Sequence, residues 1–144
     1  MNKLNTYRTV DTLGKSQLDL IIQVYDGAIK AFRAAIKAYQ DNDCNTGYTQ
    51  LERAKRFVTH LYTTLDAKAG GEIAEKLAML YVYIINQATL AESTKDLAVI
   101  DDNITMLDNV RQGWLTLKRR DAKAAAVSEQ VSPYVEKVRF TTSA

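Results

Sequence analysis

The side chains suited to nucleophilic or metal chemistry are few in this sequence. Among 144 residues there is one histidine, His60, and one cysteine, Cys44. A zinc ion needs three or four protein ligands of these types, and a di-iron site in a helical bundle needs paired Glu-x-x-His motifs. The residue three positions before His60 is Phe57 and not a glutamate. We therefore predict no metal site and no cofactor.

Neither residue has the neighbours that catalysis would require. In phosphotransfer domains, the histidine that accepts the phosphoryl group is typically followed by Lys three residues later and by Gly or Ser four residues later. At those two positions after His60 this chain has Thr63 and Thr64. Phosphotransfer through His60 is therefore a minor alternative to a solvated side chain. A nucleophilic cysteine needs an adjacent base, and no second histidine exists for Cys44, which is predicted to be a small buried hydrophobe. We predict that the protein is not an enzyme.

Charge is distributed unevenly along the chain. Residues 1–15 have a net charge of +2, residues 16–117 of −3 and residues 118–144 of +3. A mildly acidic central region argues against nucleic-acid binding by the folded body. No apolar run approaches the roughly 20 residues that span a bilayer, the first residues have no signal-peptide core, and one cysteine fits a reducing compartment. A cytosolic protein without membrane insertion is expected.

Four segments have the apolar periodicity of helices. The first begins at Ser16, where Asp19 indicates a capping box, and runs to about Tyr39. Its main apolar positions recur every three or four residues and are Leu18, Ile22, Tyr25, Ile29, Phe32 and Ile36. The second begins after Asp43, a favourable N-cap residue. Its predicted apolar stripe is Cys44, Tyr48, Leu51, Val58, Tyr62 and Leu65. This second segment is predicted to end at Gly70–Gly71, because glycine commonly closes a helix.

The third segment is apolar on most of its sides. From Ala78 to Ile85 the only polar groups are tyrosine hydroxyls, whereas a surface helix has one apolar stripe. It continues to about Glu92, after which Asp96 is suited to cap a fourth helix. Four helices of roughly 20 residues with short polar breaks predict an all-α fold, an antiparallel four-helix bundle. No stretch alternates with period two, so no sheet is predicted.

Three regions are predicted along the chain. They are a flexible N-terminal arm (1–15), the four-helix bundle (16–117) and a basic C-terminal extension (118–144), partly helical or disordered. An alanine run in the extension favours a short fifth helix that ends at Pro133. The apolar surplus of helices one and three favours either a binding groove or self-association as a structural bundle. On pattern alone, assignment of every apolar position to the core is equally compatible.

Three groups of residues together resemble the FliS family of flagellar export chaperones. In chain order, the first group is Tyr7 and Val10 together with the helix 18–29 (LDLIIQVYDGAI). The second is the stretch 70–77 with Leu80, Tyr81 and Tyr83, and the third is Trp114. The resemblance covers about residues 4–117. It departs from the family pattern at Arg8, where glutamine is usual, and at Lys15–Ser16, where Ser-Pro is common.

The resemblance implies a cytosolic chaperone of flagellin. It would bind the disordered C-terminal segment of flagellin, prevent premature polymerisation and, with its client, meet a component of the flagellar type III export gate. The client-binding residues that it implies are Leu18, Ile22, Tyr25, Ala28, Tyr81 and Ile84, with Tyr7 and Val10 in an arm that competes with the client. A monomer or weak homodimer is expected. Other expectations are a close helix approach at Gly27, a core position for Trp114, and a hydrogen bond from a tyrosine or backbone amide to Asp26.

Overall fold

The computed structural model describes the backbone of residues 11–12 and 15–142 and the side chains of residues 16–66 and 70–123. This part of the chain forms four helices, α1 (Gln17–Gln40), α2 (Cys44–Thr63), α3 (Ala67–Thr94) and α4 (Leu97–Thr142). A two-residue antiparallel ladder, β1 (Asp11–Thr12) with β2 (Lys15–Ser16), precedes α1. The all-α class and the helical bundle are confirmed. The ladder was not predicted, because two residues are too few to show alternation in a sequence.

Side-chain caps fix the beginnings of three helices at the predicted places. The Ser16 hydroxyl accepts from the Asp19 backbone N–H at 3.2 Å, and the Asp19 carboxylate accepts from the Ser16 N–H at 3.3 Å. Asp43 accepts from the N–H of Thr46 at 3.2 Å. Asp96 accepts from the backbone N–H of Ala98 at 3.0 Å. Each bond satisfies a backbone donor that the first turn of a helix leaves free.

The core is formed by the inward faces of all four helices. Among the side chains that the structure describes, the largest fully buried ones are Tyr25, Tyr81, Phe32, Leu51, Ile84, Ile100, Leu107, Val58 and Asn103. Asn103 on α4 donates its amide to the backbone carbonyl of Ile84 on α3 at 3.0 Å. Arg111 on α4 donates to the carboxylate of Asp26 on α1 at 2.5 Å. Helix α4 is thus joined to two neighbouring helices by polar bonds as well as by apolar packing.

Helix α2 buries a different stripe from the predicted one. The predicted stripe included Cys44, Tyr48 and Tyr62, but all three are exposed. The buried positions are Gly47, Leu51, Ala54, Val58 and Leu61. Their spacings of four, three, four and three residues follow one helix face more closely. Cys44, predicted to be buried, is the first residue of α2 and precedes the first buried position of this stripe.

The connection between α2 and α3 differs from the prediction. Helix α2 ends at Thr63, not at the glycine pair. The hydroxyls of Thr63 and Thr64 both donate to the carbonyl of His60, and such side-chain bonds compete with helical ones. Gly71 does break the helical path, with φ of 55° and ψ of −131° inside α3. Because this backbone conformation favours glycine, the regular part of α3 begins after Gly71.

The last helix is continuous where a fifth helix was predicted. Helix α4 extends to Thr142, through Pro133. The alanine run therefore prolongs α4, because alanine favours helix and no glycine or proline interrupts residues 114–132. By its contacts the chain divides into two compact units, Met1–Arg111 and Gln112–Ala144. The first contains α1, α2, α3 and the start of α4, and the second is the remainder of α4. The predicted domain boundaries stay predictions.

Gly27 allows the close helix approach that was predicted. A Cβ atom built on Gly27 in α1 would lie 2.6 Å from two ring atoms of Phe57 in α2. Atoms at that distance overlap, so the ring occupies the space that a side chain would need. The phenylalanine ring therefore packs directly against the backbone of α1.

We expect Gly27→Val to lower the free energy of unfolding by about 1–3 kcal/mol, because the added side chain overlaps the Phe57 ring. Urea unfolding of the full chain measures the change. The same substitution in a Phe57→Ala background is the control, and its cost should fall by more than half. An equal cost in both backgrounds would show that the contact with Phe57 is not the cause.

Candidate functional site

The six predicted client-binding residues are all buried. Leu18, Ile22, Tyr25, Ala28, Tyr81 and Ile84 are at most 7% exposed. They therefore do not line an open groove in this conformation, because the seam that their spacing produces is the one that packs the bundle. Their contact with a client stays a prediction. Tyr7 and Val10, the predicted arm residues, lie outside the described residues.

Two of the six meet at the centre of the bundle. The hydroxyls of Tyr25 on α1 and Tyr81 on α3 are hydrogen-bonded to each other. Their rings are tilted by 58° with centroids 6.3 Å apart. Both side chains are almost completely buried. These two residues thus form a polar cross-link between α1 and α3, because buried tyrosine hydroxyls need partners.

An exposed apolar surface lies on the outer side of α3. It consists of Met79, Val82, Tyr83 and Leu90, which we call the apolar row. Met79 is 74% exposed and Tyr83 is 50% exposed. Val82 and Tyr83 lie three and four residues after Met79. Leu90 lies seven residues, two helical turns, after Tyr83, so the row shares one face of α3. Clustered exposed apolar residues of this kind mark interaction surfaces more often than scattered ones.

The inward face of α3 explains why the row is exposed. The buried residues in the described part of this helix (70–94) are Ala74, Tyr81, Ile84, Ala88 and Ala91. Three of these five are alanines, so this face supplies little side-chain volume at its ends. The larger residues Met79, Tyr83 and Leu90 occupy the other side of the helix. Helix α3, which is apolar on most of its sides, therefore has an apolar core face and an apolar solvent face.

Asp26 has a partner that was not predicted. Its carboxylate accepts from the Arg111 guanidinium of α4, and not from a tyrosine or a backbone amide. The Asp26 side chain is 49% exposed and that of Arg111 is 25% exposed. Ion pairs of this exposure contribute about 1 kcal/mol or less. Residues 85 positions apart in the sequence give no local signal of such a pair.

A half-buried charge cluster joins α2 to α3. The ammonium of Lys55 lies 2.6 Å from the Glu52 carboxylate and 3.1 Å from that of Glu92. Burial raises the pKa of Glu92, and the carboxyl of Glu52 raises it further against the opposing effect of Lys55. A side-chain hydrogen bond with Glu92 and another with Lys55 lower the pKa of Glu52. The lysine therefore holds two carboxylates that otherwise repel each other.

Lys55→Met should lower the free energy of unfolding by about 1–2 kcal/mol at neutral pH, because it leaves the two carboxylates facing each other. Glu92 has a raised pKa in the fold, so its contribution favours folding at low pH and is lost as pH rises. Removal of Lys55 raises that pKa further. The deficit of the variant should therefore shrink as pH falls from 7 toward 4 in urea unfolding. A deficit that is independent of pH would contradict this electrostatic origin. The control is Lys37→Met, because Lys37 belongs to an exposed ion pair.

Among the described residues no group of three or more His, Cys, Asp and Glu side chains is placed to hold a metal ion. Cys44 and His60 are both exposed. No helix in the same part of the chain is long and apolar enough to cross a membrane. Trp114, predicted to be core, is half-buried, although its indole nitrogen is covered.

Comparison with known proteins decides the family. The family described as "Flagellar protein FliS" matches residues 1–121. The chain belongs to the FliS family. The flagellar secretion chaperone FliS of Salmonella typhimurium is 29% identical over 103 residues, which are 71% of this chain and 76% of that protein. The chaperone of the same name from Escherichia coli K12 is 23% identical over 103 residues, with the same coverage of both chains. That of Vibrio cholerae is 28% identical over 88 residues, which are 61% of this chain and 65% of that protein. The family resemblance inferred from three sequence motifs is confirmed.

Sequence reasoning missed Asn103 of α4, a buried polar residue that binds α3. Asn103 is fully buried and binds the carbonyl of Ile84, the residue next to Tyr83 of the apolar row. Its position three residues after Ile100 and one before Ile104 places it on the predicted inner face of α4. The sequence signal for its burial was therefore a polar residue that stands among apolar residues at helical spacing. Such buried amides fix how two helices align.

Proposed function

We propose that this member of the FliS family binds the disordered C-terminal segment of flagellin in the cytosol before export. Membership of the family supports this proposal, because curated relatives are named flagellar secretion chaperones. The single structural observation that supports it best is the apolar row on α3. A client helix that lays its apolar face on this row would be unable to present the same face to another flagellin subunit.

The client surface in this proposal begins on the apolar row. Met79, Val82, Tyr83 and Leu90 are accessible without any change in the fold. An amphipathic helix binds such a surface through residues at i, i+3, i+4 and i+7. The buried residues Tyr81 and Ile84 support the row from beneath, since they lie on the same helix and face the core. Direct client contact by the six buried residues would require their covering side chains to move.

The energetics require a large apolar contact. Ordering a disordered segment costs about 2–5 kcal/mol or more of the interaction energy. Burial of apolar surface contributes roughly 25 cal/mol per Å², and the entropy lost on association must be offset as well. Four exposed large side chains on one helix face supply part of this surface. The binding cycle that we propose uses no cofactor and no catalytic step.

Delivery forms the second half of the proposal. The chaperone and its client would together meet a component of the export gate of the flagellar type III secretion system. The client would thereby remain unpolymerised until export. The family and the names of the relatives support this step.

Titration of the full chain with a peptide that covers the C-terminal segment of flagellin from the same source tests client binding. We expect one-to-one binding with a Kd of about 1 μM or tighter, a gain of helix by circular dichroism and a negative heat-capacity change by calorimetry. Absence of binding at several hundred micromolar peptide would contradict the proposal. A mass that rises with concentration in the absence of peptide would favour a self-associating bundle instead.

A further inference from the structure

A second surface feature lies between α1 and α2, away from the apolar row of α3. It is an open pocket of about 480 Å³ lined by Val24, Arg53, Arg56, Phe57 and His60. The four α2 residues are spaced i, i+3, i+4 and i+7, so they lie on one face of that helix. A volume of this size is within the range of small ligand sites, and accommodates one or two large side chains.

The floor of the pocket is apolar and held in place. Phe57 packs against the backbone of α1 at Gly27, where no Cβ intervenes. Val24 from α1 lines the pocket beside it. Both side chains are half-buried, so each presents part of its surface to the pocket. An aromatic or aliphatic group that enters would therefore meet a rigid apolar surface.

The rim of the pocket is cationic. The guanidinium of Arg53 lies 5.8 Å from the centroid of the Phe57 ring, in a cation–π arrangement that orients it over the floor. Arg56 is the second guanidinium, and it contributes to lowering the pKa of the nearby Glu52. The carboxylate of Glu52 lies 2.6 Å from Lys55. No residue that lines the pocket is acidic, so the local charge is positive although residues 16–117 have a net charge of −3.

We propose that this pocket is a docking site for an acidic amphipathic segment of a partner protein. One large apolar side chain of the partner would cover Phe57, and adjacent carboxylates would bind Arg53 and Arg56. Charge complementarity selects this occupant, because two guanidiniums beside an apolar floor match carboxylates beside an apolar side chain. A second copy of this chain is the weaker match, since residues 16–117 have only a small excess of negative charge. The pocket shares no residue with the apolar row, and this proposal does not depend on the proposed function.

The probe is a synthetic helical peptide of about 16 residues with glutamate and phenylalanine at i, i+4 spacing on one face. Binding to the full chain is followed by fluorescence anisotropy and by the NMR signals of the arginine Nε–H groups. We expect shifts at Arg53 and Arg56, and at least about tenfold weaker binding to the Arg53→Gln/Arg56→Gln variant. Arg119→Gln/Arg120→Gln is the matched control, because it removes the same charge from an exposed place outside the pocket and should bind like the unchanged chain.

Several outcomes would overturn the proposal. These are equal losses in the two double variants, no binding at millimolar peptide in low salt, or equal binding of a peptide with glutamine in place of glutamate. If inorganic phosphate alone shifted the same arginine signals and displaced the peptide completely, the pocket would be a simple anion site. If the mass of the unchanged chain rose with concentration and that of Arg53→Gln/Arg56→Gln did not, the occupant would be a second copy. Circular dichroism and urea unfolding establish that both variants keep the fold.

Discussion

Ile84→Ala should lower the free energy of unfolding by about 2–5 kcal/mol, a large part of the 5–15 kcal/mol typical of a domain. Ile84 is completely buried on α3, and its carbonyl accepts the amide of Asn103 on α4. Truncation removes apolar contacts and leaves a cavity where these two helices meet. Because the surrounding helices relax only partly, the cavity adds to the loss of burial. Urea unfolding of the full chain, followed by circular dichroism, measures the effect.

The adjacent residue provides the control. Tyr83 is 50% exposed on the same helix, so Tyr83→Ala should change the free energy of unfolding by less than about 1 kcal/mol. The contrast between neighbours tests the orientation of α3, because a rotation of the helix by one residue would exchange them. Equal destabilisation by the two substitutions would contradict the division of α3 into a core face and a solvent face.

Met79→Ala/Tyr83→Ala should weaken binding of the flagellin C-terminal peptide by about 10- to 100-fold. Large apolar residues at the centre of an interface each contribute about 1–2 kcal/mol or more, and 1.4 kcal/mol corresponds to a factor of ten. Both side chains are largely outside the core, so the variant should keep its fold. Calorimetric titration gives the change in Kd, and the gain of helix on binding should fall in parallel.

Two exposed tyrosines on another helix make the matched control. Tyr48 and Tyr62 on α2 are 52% and 44% exposed, and Tyr48→Ala/Tyr62→Ala removes comparable apolar surface away from the row. This variant should bind the peptide within about twofold of the unchanged chain, since substitutions at sites distant from an interface act independently of it. Unchanged binding after loss of Met79 and Tyr83 would remove the apolar row from the client surface. Equal losses in both variants would show that general apolar exposure, and not this row, determines binding.

The pattern of the sequence was sufficient for the helices and three of their beginnings, because these depend on local interactions. Ser16 with Asp19, Asp43 and Asp96 each bond to backbone donors within three residues, and such bonds are visible as short motifs. The positions at which the helices end were harder to predict from the sequence. Thr63 and Thr64 end α2 before the glycine pair, because their hydroxyls bond to the carbonyl of His60. Helix α4 continues through Pro133.

The candidate site was less accessible to sequence reasoning than the fold. The six residues chosen as client-binding share the heptad seam that packs α1 and α3, and periodicity does not distinguish a core seam from a groove. Val82 and Tyr83 of the apolar row lie between Tyr81 and Ile84 in the sequence. Tyr83 is next to Ile84, and a rotation of 100° per residue decides which one faces solvent. That rotation is fixed by contacts with the other helices, not by α3 itself.

By itself, the sequence determined that this chain is an all-α bundle of the FliS family, because helical periodicity, caps and family motifs are local properties of the chain. Only the tertiary structure decided which apolar residues remain exposed, that Asp26 pairs with Arg111, and that two arginines and a phenylalanine of α2 form a pocket with Val24 of α1. These features join residues that are distant in the sequence. Their positions depend on how the helices pack against one another, which no single segment specifies.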